Sequence, residues 1–166
     1  MTTVLDATVL LNYGRFEALW IPQRSLPPDR IVVPQVVAEV VYPPEAVRAL
    51  GSTITEGRLR VHHSPSSEAE FAAVEELRQT RPRLGPGELA SLAACLACSW
   101  SFASDDREAR LIAQDRGIVL TGTMGILIGA VEDGIVDLAH AESLFRKMIG
   151  AGYRAPVRRL ADLIDS

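Results

Sequence analysis

Lysine is almost missing. Lys147 is the only one in 166 residues, so arginine carries the positive charge, and arginine is the better bidentate partner for phosphate. Cysteine is nearly as scarce: Cys95 and Cys98 cannot build a disulfide framework. Both lie deep in an apolar run that begins at Glu88, where core packing is a better reading than a redox or zinc pair. His62 and His63 do not complete a zinc site with them, because a strand sends adjacent side chains to opposite faces. No long apolar run exists either. The longest charge-free stretch, Leu89 to Ser104, is interrupted by Ser91, Ser99 and Ser101 and is shorter than the roughly 18 to 20 apolar residues a membrane helix needs. A membrane role is not expected. The opening MTTVLD has no basic segment followed by an apolar stretch and a small-residue cleavage site, which points to a cytoplasmic protein. A formal net charge of −4 and a pI of about 5.4 remove the global basic footprint of most nucleic-acid binders and leave only local arginine patches.

What is present is enough to fold. Hydrophobic residues make up 48% and charged residues 23%, ordinary values for a globular chain, and the length suits one domain, residues 1–166. Short β-rich runs alternate with longer helical ones. Strands are expected at Thr2 to Leu5, Ile31 to Val33, Leu59 to His62, Ser101 to Ser104 and Ile118 to Leu120. Helices are expected at Thr8 to Leu19, Pro34 to Val41, Pro44 to Leu50, Ser67 to Gln79, Gly87 to Cys98, Arg107 to Arg116, Thr123 to Glu132, Leu138 to Ile149 and Val157 to Ile164. Pro34 and Pro44 suit first-turn positions, and Gly117, Gly134 and Gly150 suit helix ends. The pattern is that of βα units on a parallel sheet, with residues 138–166 forming a C-terminal helical segment of the same domain.

In an open parallel sheet, functional groups collect beyond the carboxyl ends of the strands. Asp6 directly follows the first apolar run, and Asp105 and Asp106 follow Ser-Phe-Ala-Ser. Glu39 lies in Val-Val-Ala-Glu-Val-Val, and Glu88 opens an otherwise charge-free helix. A carboxylate in apolar company is costly unless it is solvated, paired or bound to a metal. Taken singly, Asp6, Asp105 or Asp106 also reads as a helix cap, Glu88 as a charge favoured at a helix N-terminus, and Glu39 as part of an exposed helix stripe. Together, without a complementary lysine, they have the composition of an oxygen-only site for Mg²⁺ or Mn²⁺, which bridges to substrate phosphates. Thr121-Gly122-Thr123-Met124-Gly125 lacks the lysine and spacing of a phosphate loop and reads as a strand-to-helix turn with close-packed glycines.

The segments Val-Leu-Asp-Ala-Thr-Val-Leu-Leu, Val-Pro-Gln-Val-Val-Ala-Glu-Val-Val, Gly-Pro-Gly-Glu-Leu-Ala-Ser-Leu-Ala and Ala-Ser-Asp-Asp-Arg-Glu-Ala-Arg occur in the order of the acidic motifs of PIN domains, which they resemble. The stretch Asp105 to Leu127 looks like a PIN subgroup described as predicted nucleic-acid-binding proteins and often encoded beside a small antitoxin-like partner. The resemblance runs from Val4 to about Ile164. It implies a three-layer α/β/α fold around a parallel sheet of about five strands, and a Mg²⁺- or Mn²⁺-dependent endoribonuclease similar to VapC-type toxins. On it, Asp6, Glu39, Glu88 and Asp106 match the catalytic acids, with Asp6, Glu88, Asp105 and Asp106 as candidate metal ligands. Thr8 and Ser104 match the hydroxyl residues that hold carboxylates in place. The chain departs from the pattern in having Glu88 where Asp is common and in doubling the last Asp.

The implied reaction is hydrolysis of an RNA phosphodiester without a nucleophilic side chain. A haloacid-dehalogenase-type phosphatase would need Asp where Thr8 stands and a later lysine, for which Lys147 is out of position. A receiver domain would have its Asp pair at the start and a lysine near the end of the core, the reverse of this order. The non-enzymatic alternative is a degenerate PIN domain that binds RNA or a protein partner without cutting. Arg107 and Arg110, one helical turn apart beside the doubled Asp, are expected to grip RNA phosphates or an acidic antitoxin tail. A homodimer is expected from the resemblance and from apolar stripes at Leu144, Phe145, Met148 and Ile149 and at Leu160, Leu163 and Ile164.

Overall fold

In the computed structural model, which describes residues 1–164, every strand of the sheet runs parallel. Residues 165–166, the end of the expected domain, lie outside the described residues. The strands are β1 (Thr2–Leu5), β2 (Asp29–Val32), β3 (Arg60–Val61), β4 (Ser101–Ala103) and β5 (Leu120–Thr121), in the order β3-β2-β1-β4-β5. The ten helices among the described residues are α1 (Ala7–Gly14), α2 (Trp20–Ser25), α3 (Pro34–Glu39), α4 (Pro44–Thr55), α5 (Glu68–Thr80), α6 (Pro86–Cys98), α7 (Arg107–Asp115), α8 (Thr123–Glu132), α9 (Leu138–Gly150) and α10 (Ala161–Ile164).

The period of two along each strand makes the layers. Leu5, Val32 and Ala103 face a core completed by α1, α2, α4, α8 and α9. Their neighbours Val4, Ile31 and Phe102 face a second core closed by α5, α6 and α7. Such strands read as continuous apolar runs because both faces are covered. The chain leaves β1 toward β2 on one side, and β4 lies on the other, so the carboxyl ends of β1 and β4 flank the point where strand order reverses. That crevice is where open α/β sheets place ligands.

Several expectations are corrected. The first helix stops at Gly14 rather than Leu19, because the left-handed Glu17 breaks the helical run and the Ala18 amide folds back to the Tyr13 carbonyl at 2.9 Å. Gly14 itself packs on α4, where a Cβ would lie 3.1 Å from the Cα of Ala46. The chain then turns through Glu17 at φ 55 and re-enters a helix, α2, that the sequence did not suggest. Helix α4 continues past Gly51 to Thr55, because that glycine faces open space and asks for no turn. The last helix is one turn long, not the span from Val157; the Glu142 carboxylate accepts from the Ala161 amide at its start.

Candidate metal centre and groove

Register brings the first two acidic ends together. Leu5 pairs with Ala103, and the Asp6 amide extends the ladder by donating to the Ala103 carbonyl at 3.0 Å. Asp6 stands at the N-cap position of α1, yet its side chain makes no cap hydrogen bond. Its Oδ2 instead accepts from the Ser104 hydroxyl at 2.7 Å and from Thr8 at 3.2 Å. Ser104 in turn accepts from the Asp106 amide, and Thr8 accepts from the Asp105 amide. The two hydroxyls thus tie the ends of β1 and β4 into one rigid unit.

Two more carboxylates arrive on helices. Glu39 ends α3, and its Oε1 accepts from the Gly87 amide in the first turn of α6 at 3.0 Å. Glu88 sits one residue further along α6, and its Oε2 accepts from the Gly85 amide at 3.0 Å. Both therefore satisfy N–H groups that a helix start leaves unpaired and sit at the positive end of the α6 dipole. Gly87 is required for this approach: a Cβ there would lie 2.5 Å from Glu39 Oε1 and 2.9 Å from Val36. Asp106 caps α7, its Oδ1 accepting from the Ala109 amide at 2.8 Å.

Each of the four carboxylates is thus held by one oxygen. The second oxygens of Glu39, Glu88 and Asp106 have no hydrogen-bond donor among the described residues. The electrostatics mark the four as one cluster. Burial pushes the Asp6 carboxyl above its ordinary range, opposed by the hydroxyls of Ser104 and Thr8 and reinforced by the Asp106 charge. Glu88 is raised by burial and by the charges of Asp106, Asp6 and Glu39, and Glu39 by burial and by Asp6. Hard oxygen donors with uncompensated negative charge fit Mg²⁺ or Mn²⁺. Among the described residues no three ligating side chains converge on one point, so an ion here would keep waters on its other positions, as Mg²⁺ commonly does.

Asp105 takes a different part. Its Oδ1 accepts from the Thr123 amide at 2.9 Å, and its Oδ2 accepts from the Thr123 hydroxyl at 2.5 Å and from Asn12 at 3.0 Å. Both oxygens are occupied by contacts joining β4, α1 and α8. Arg110 is equally committed: one guanidinium nitrogen donates to the carbonyls of Ser104 and Thr121 at 2.7 and 2.9 Å. Gly122 makes room for both, since a Cβ there would lie 2.6 Å from Asp105 and 2.9 Å from Arg110. The expected Arg107 and Arg110 pair is therefore split, with Arg107 exposed and Arg110 serving as a stitch between backbone segments.

Beside the carboxylates runs a groove of about 610 Å³. The α1 face formed by Thr8, Leu11, Asn12 and Arg15 makes one wall, residues Ala151 to Arg154 the other, and Asp105, Asp106 and Arg107 the floor. Asn12, Arg15 and Tyr153 are not among the residues that the sequence singles out. Helical spacing from Thr8 is the available signal for the first two, whereas nothing local marks Tyr153.

The thiols and histidines behave as packing and pairing groups. Cys95 is buried and directed at the Ser101 carbonyl. His62 pairs with the buried Glu70 at 2.8 Å, which Cys98 also approaches, while His63 is exposed.

Comparisons with known proteins agree with this architecture. The family described as PIN domain matches residues 2–166 of the sequence. The 2.2 Å structure of VapBC-1 from nontypeable Haemophilus influenzae matches with a TM-score of 0.53 at 16% identity, covering 74% of this chain and 98% of that one. No curated protein matches the sequence. No helix among the described residues is long and apolar enough to cross a membrane.

Proposed function

As this chain belongs to the PIN-domain family, we propose that it is a Mg²⁺- or Mn²⁺-dependent endoribonuclease that hydrolyses RNA phosphodiester bonds. The observation that carries this reading is the set Asp6, Glu39, Glu88 and Asp106 at the strand-order reversal, each held by one oxygen. An ion here would be held through one or two of these carboxylates, with waters completing its shell. Once bound, a divalent cation supplies Lewis acidity that lowers the pKa of water and offsets charge on the phosphate.

The protein's own part is orientation and proton handling. Ser104 and Thr8 fix Asp6, and the capping contact fixes Asp106. The free oxygens of Glu39, Glu88 and Asp106 are left to orient the attacking water and accept its proton. Carboxyls raised by burial and mutual repulsion, as Glu88 is, accept a proton more readily than ordinary ones. Neither hydroxyl has a histidine partner among the described residues, so both serve as positioning groups and not as nucleophiles.

The biological reading is the toxin of a toxin–antitoxin pair in the cytoplasm, as a homodimer with a small antitoxin-like protein partner. The VapBC-1 likeness supports that reading at the level of fold. Most of the expected dimer stripe lies inward, with Leu144, Phe145, Met148 and Leu160 buried. Light scattering at micromolar concentration tests the dimer, and a small reading frame beside the gene tests the partner. The central test is cleavage of single-stranded RNA by the wild type with Mn²⁺, with loss of cleavage in EDTA and in Asp6→Asn. The second reading, an RNA- or partner-binding domain without catalysis, draws on the lack of three convergent ligands among the described residues. RNA binding without metal-dependent cleavage would select it.

A further inference from the structure

Most exposed arginines of this acidic chain face a carboxylate. Arg48, Arg58, Arg60, Arg78, Arg81, Arg116 and Arg159 each lie within ion-pairing distance of one. Arg24, Arg83, Arg107, Arg146, Arg154 and Arg158 are exposed without such a partner among the described residues, and of these Arg107 and Arg154 line the groove, together with Asp105 and Asp106. The two acids are unavailable to them in different ways. Asp105 is occupied by Asn12 and Thr123, and Asp106 caps α7 and adjoins the carboxylate cluster.

The groove is also pre-shaped. Arg15 donates to the Ala151 carbonyl at 3.0 Å and so fastens the loop carrying Tyr153 and Arg154 to the end of α1. Thr8, at the cluster, and Arg15, at this bridge, are separated by seven residues, about 10 Å along a helix axis. The groove therefore leads from Asp106 along α1 between two cationic side chains that come from distant parts of the chain.

We infer that this groove is the path of a single RNA strand on one side of the scissile phosphate, with Arg107 and Arg154 binding its phosphates and Arg15 positioning the wall. What enters rests on the nuclease reading, since a phosphate must reach the carboxylates; the cationic path itself rests on the unpaired arginines. Phosphate contacts of this kind set register without reading bases. An acidic protein tail is the competing occupant. RNA is taken as the occupant because the groove runs to Thr8 and Asp106 at the carboxylate cluster, where the nuclease reading requires a phosphate; the acidic tail is an outcome of the test.

The experiment measures anisotropy of a fluorescein-labelled single-stranded RNA with the full-length Asp6→Asn protein, over about 50 to 200 mM salt. Adding Arg107→Ala and Arg154→Ala together should weaken binding about tenfold or more. The slope of log affinity against log salt should become shallower by about 0.7 for each phosphate that the protein no longer neutralises. The charge-matched pair Arg48→Ala and Arg78→Ala should change affinity by no more than about twofold. Equal losses in both doubles, no loss in either, or arginine-dependent binding of polyglutamate in place of RNA would overturn the path. Cleavage assays on the otherwise wild-type chain keep the path and the nuclease apart. Wild-type KM in the Arg107→Ala, Arg154→Ala double sinks the path and spares the nuclease. Arginine-dependent RNA binding by a chain that never cleaves sinks the nuclease and spares the path.

Discussion

The Ser104 hydroxyl donates to Asp6 Oδ2 at 2.7 Å, joining the ends of β4 and β1 across 98 residues of sequence. This hydrogen bond, together with the Asp106 amide donating back to Ser104 at 3.1 Å, places two acids from separate motifs in one electrostatic cluster. How each carboxylate is held sets what its removal should do.

Asp6 carries a folding cost that a metal would relieve. Burial raises its carboxyl pKa above the ordinary 3.8, so the native state binds the proton more tightly than the unfolded chain. Its contribution is therefore favourable at low pH and is lost as pH rises through the raised value. Metal-free Asp6→Asn should melt above the wild type at pH 7, by about 2 to 4 °C for each kcal/mol relieved, and the gap should close as pH falls toward 3.8. Mn²⁺ should raise the wild-type Tm and leave the variant unchanged. Calorimetry across this range decides it; identical melting at pH 7 means that the site bears no such cost.

The doubled Asp should separate by substitution. Asparagine caps helices about as well as aspartate, so Asp106→Asn should keep wild-type stability and lose metal-dependent cleavage. Asp105→Asn should destabilise by about 1 to 3 kcal/mol, because an amide group faces donors on Thr123 and Asn12. It should still cleave RNA when folded. Denaturant titration beside single-turnover cleavage reads both, and the opposite assignment of effects would make Asp105 the ligand.

Gly87→Ala should act on the site through packing. The new methyl would collide with Glu39 Oε1 and Val36, at a cost of about 1 to 3 kcal/mol, and should weaken Mn²⁺ binding as Glu39 is displaced. Calorimetric titration of Mn²⁺ checks this. Unchanged affinity would show that Glu39 does not help to hold the ion.

Glu70 supplies a control remote from the groove. Burial works to raise its carboxyl, but hydrogen bonds from His62 and from the amide and hydroxyl of Ser66 prevail and hold it below the ordinary 4.5. The sign is opposite to that of Asp6: stability is present above pH 4.5 and is lost as pH falls through the depressed value. Glu70→Ala should cost about 3 kcal/mol at pH 7, with a gap that narrows under acid, while cleavage by the folded fraction stays normal. A stability loss independent of pH would mean that the charge of Glu70 is not what His62 and Ser66 hold.

Much of the fold is legible in the chain itself. Strands covered on both faces make unbroken apolar runs, and the first turns of α3 and α4 announce themselves through Pro34 and Pro44. The acids at strand ends are visible as well, because a carboxylate interrupting an apolar run has few reasons to be there. What the chain does not disclose locally are contacts between segments far apart in sequence. Gly14 lets α4 approach α1 at Ala46, and the left-handed turn at Glu17 that precedes α2 has no glycine to announce it. Arg107 and Arg110 look equivalent on one helix face. The carbonyls of Ser104 and Thr121 claim one of them, and Arg154 takes the vacant place from a loop about forty residues or more away along the chain. Periodicity and composition report what a side chain must avoid or bury. Which polar partner satisfies it depends on where the sheet brings distant backbone groups, and only the tertiary structure decides that.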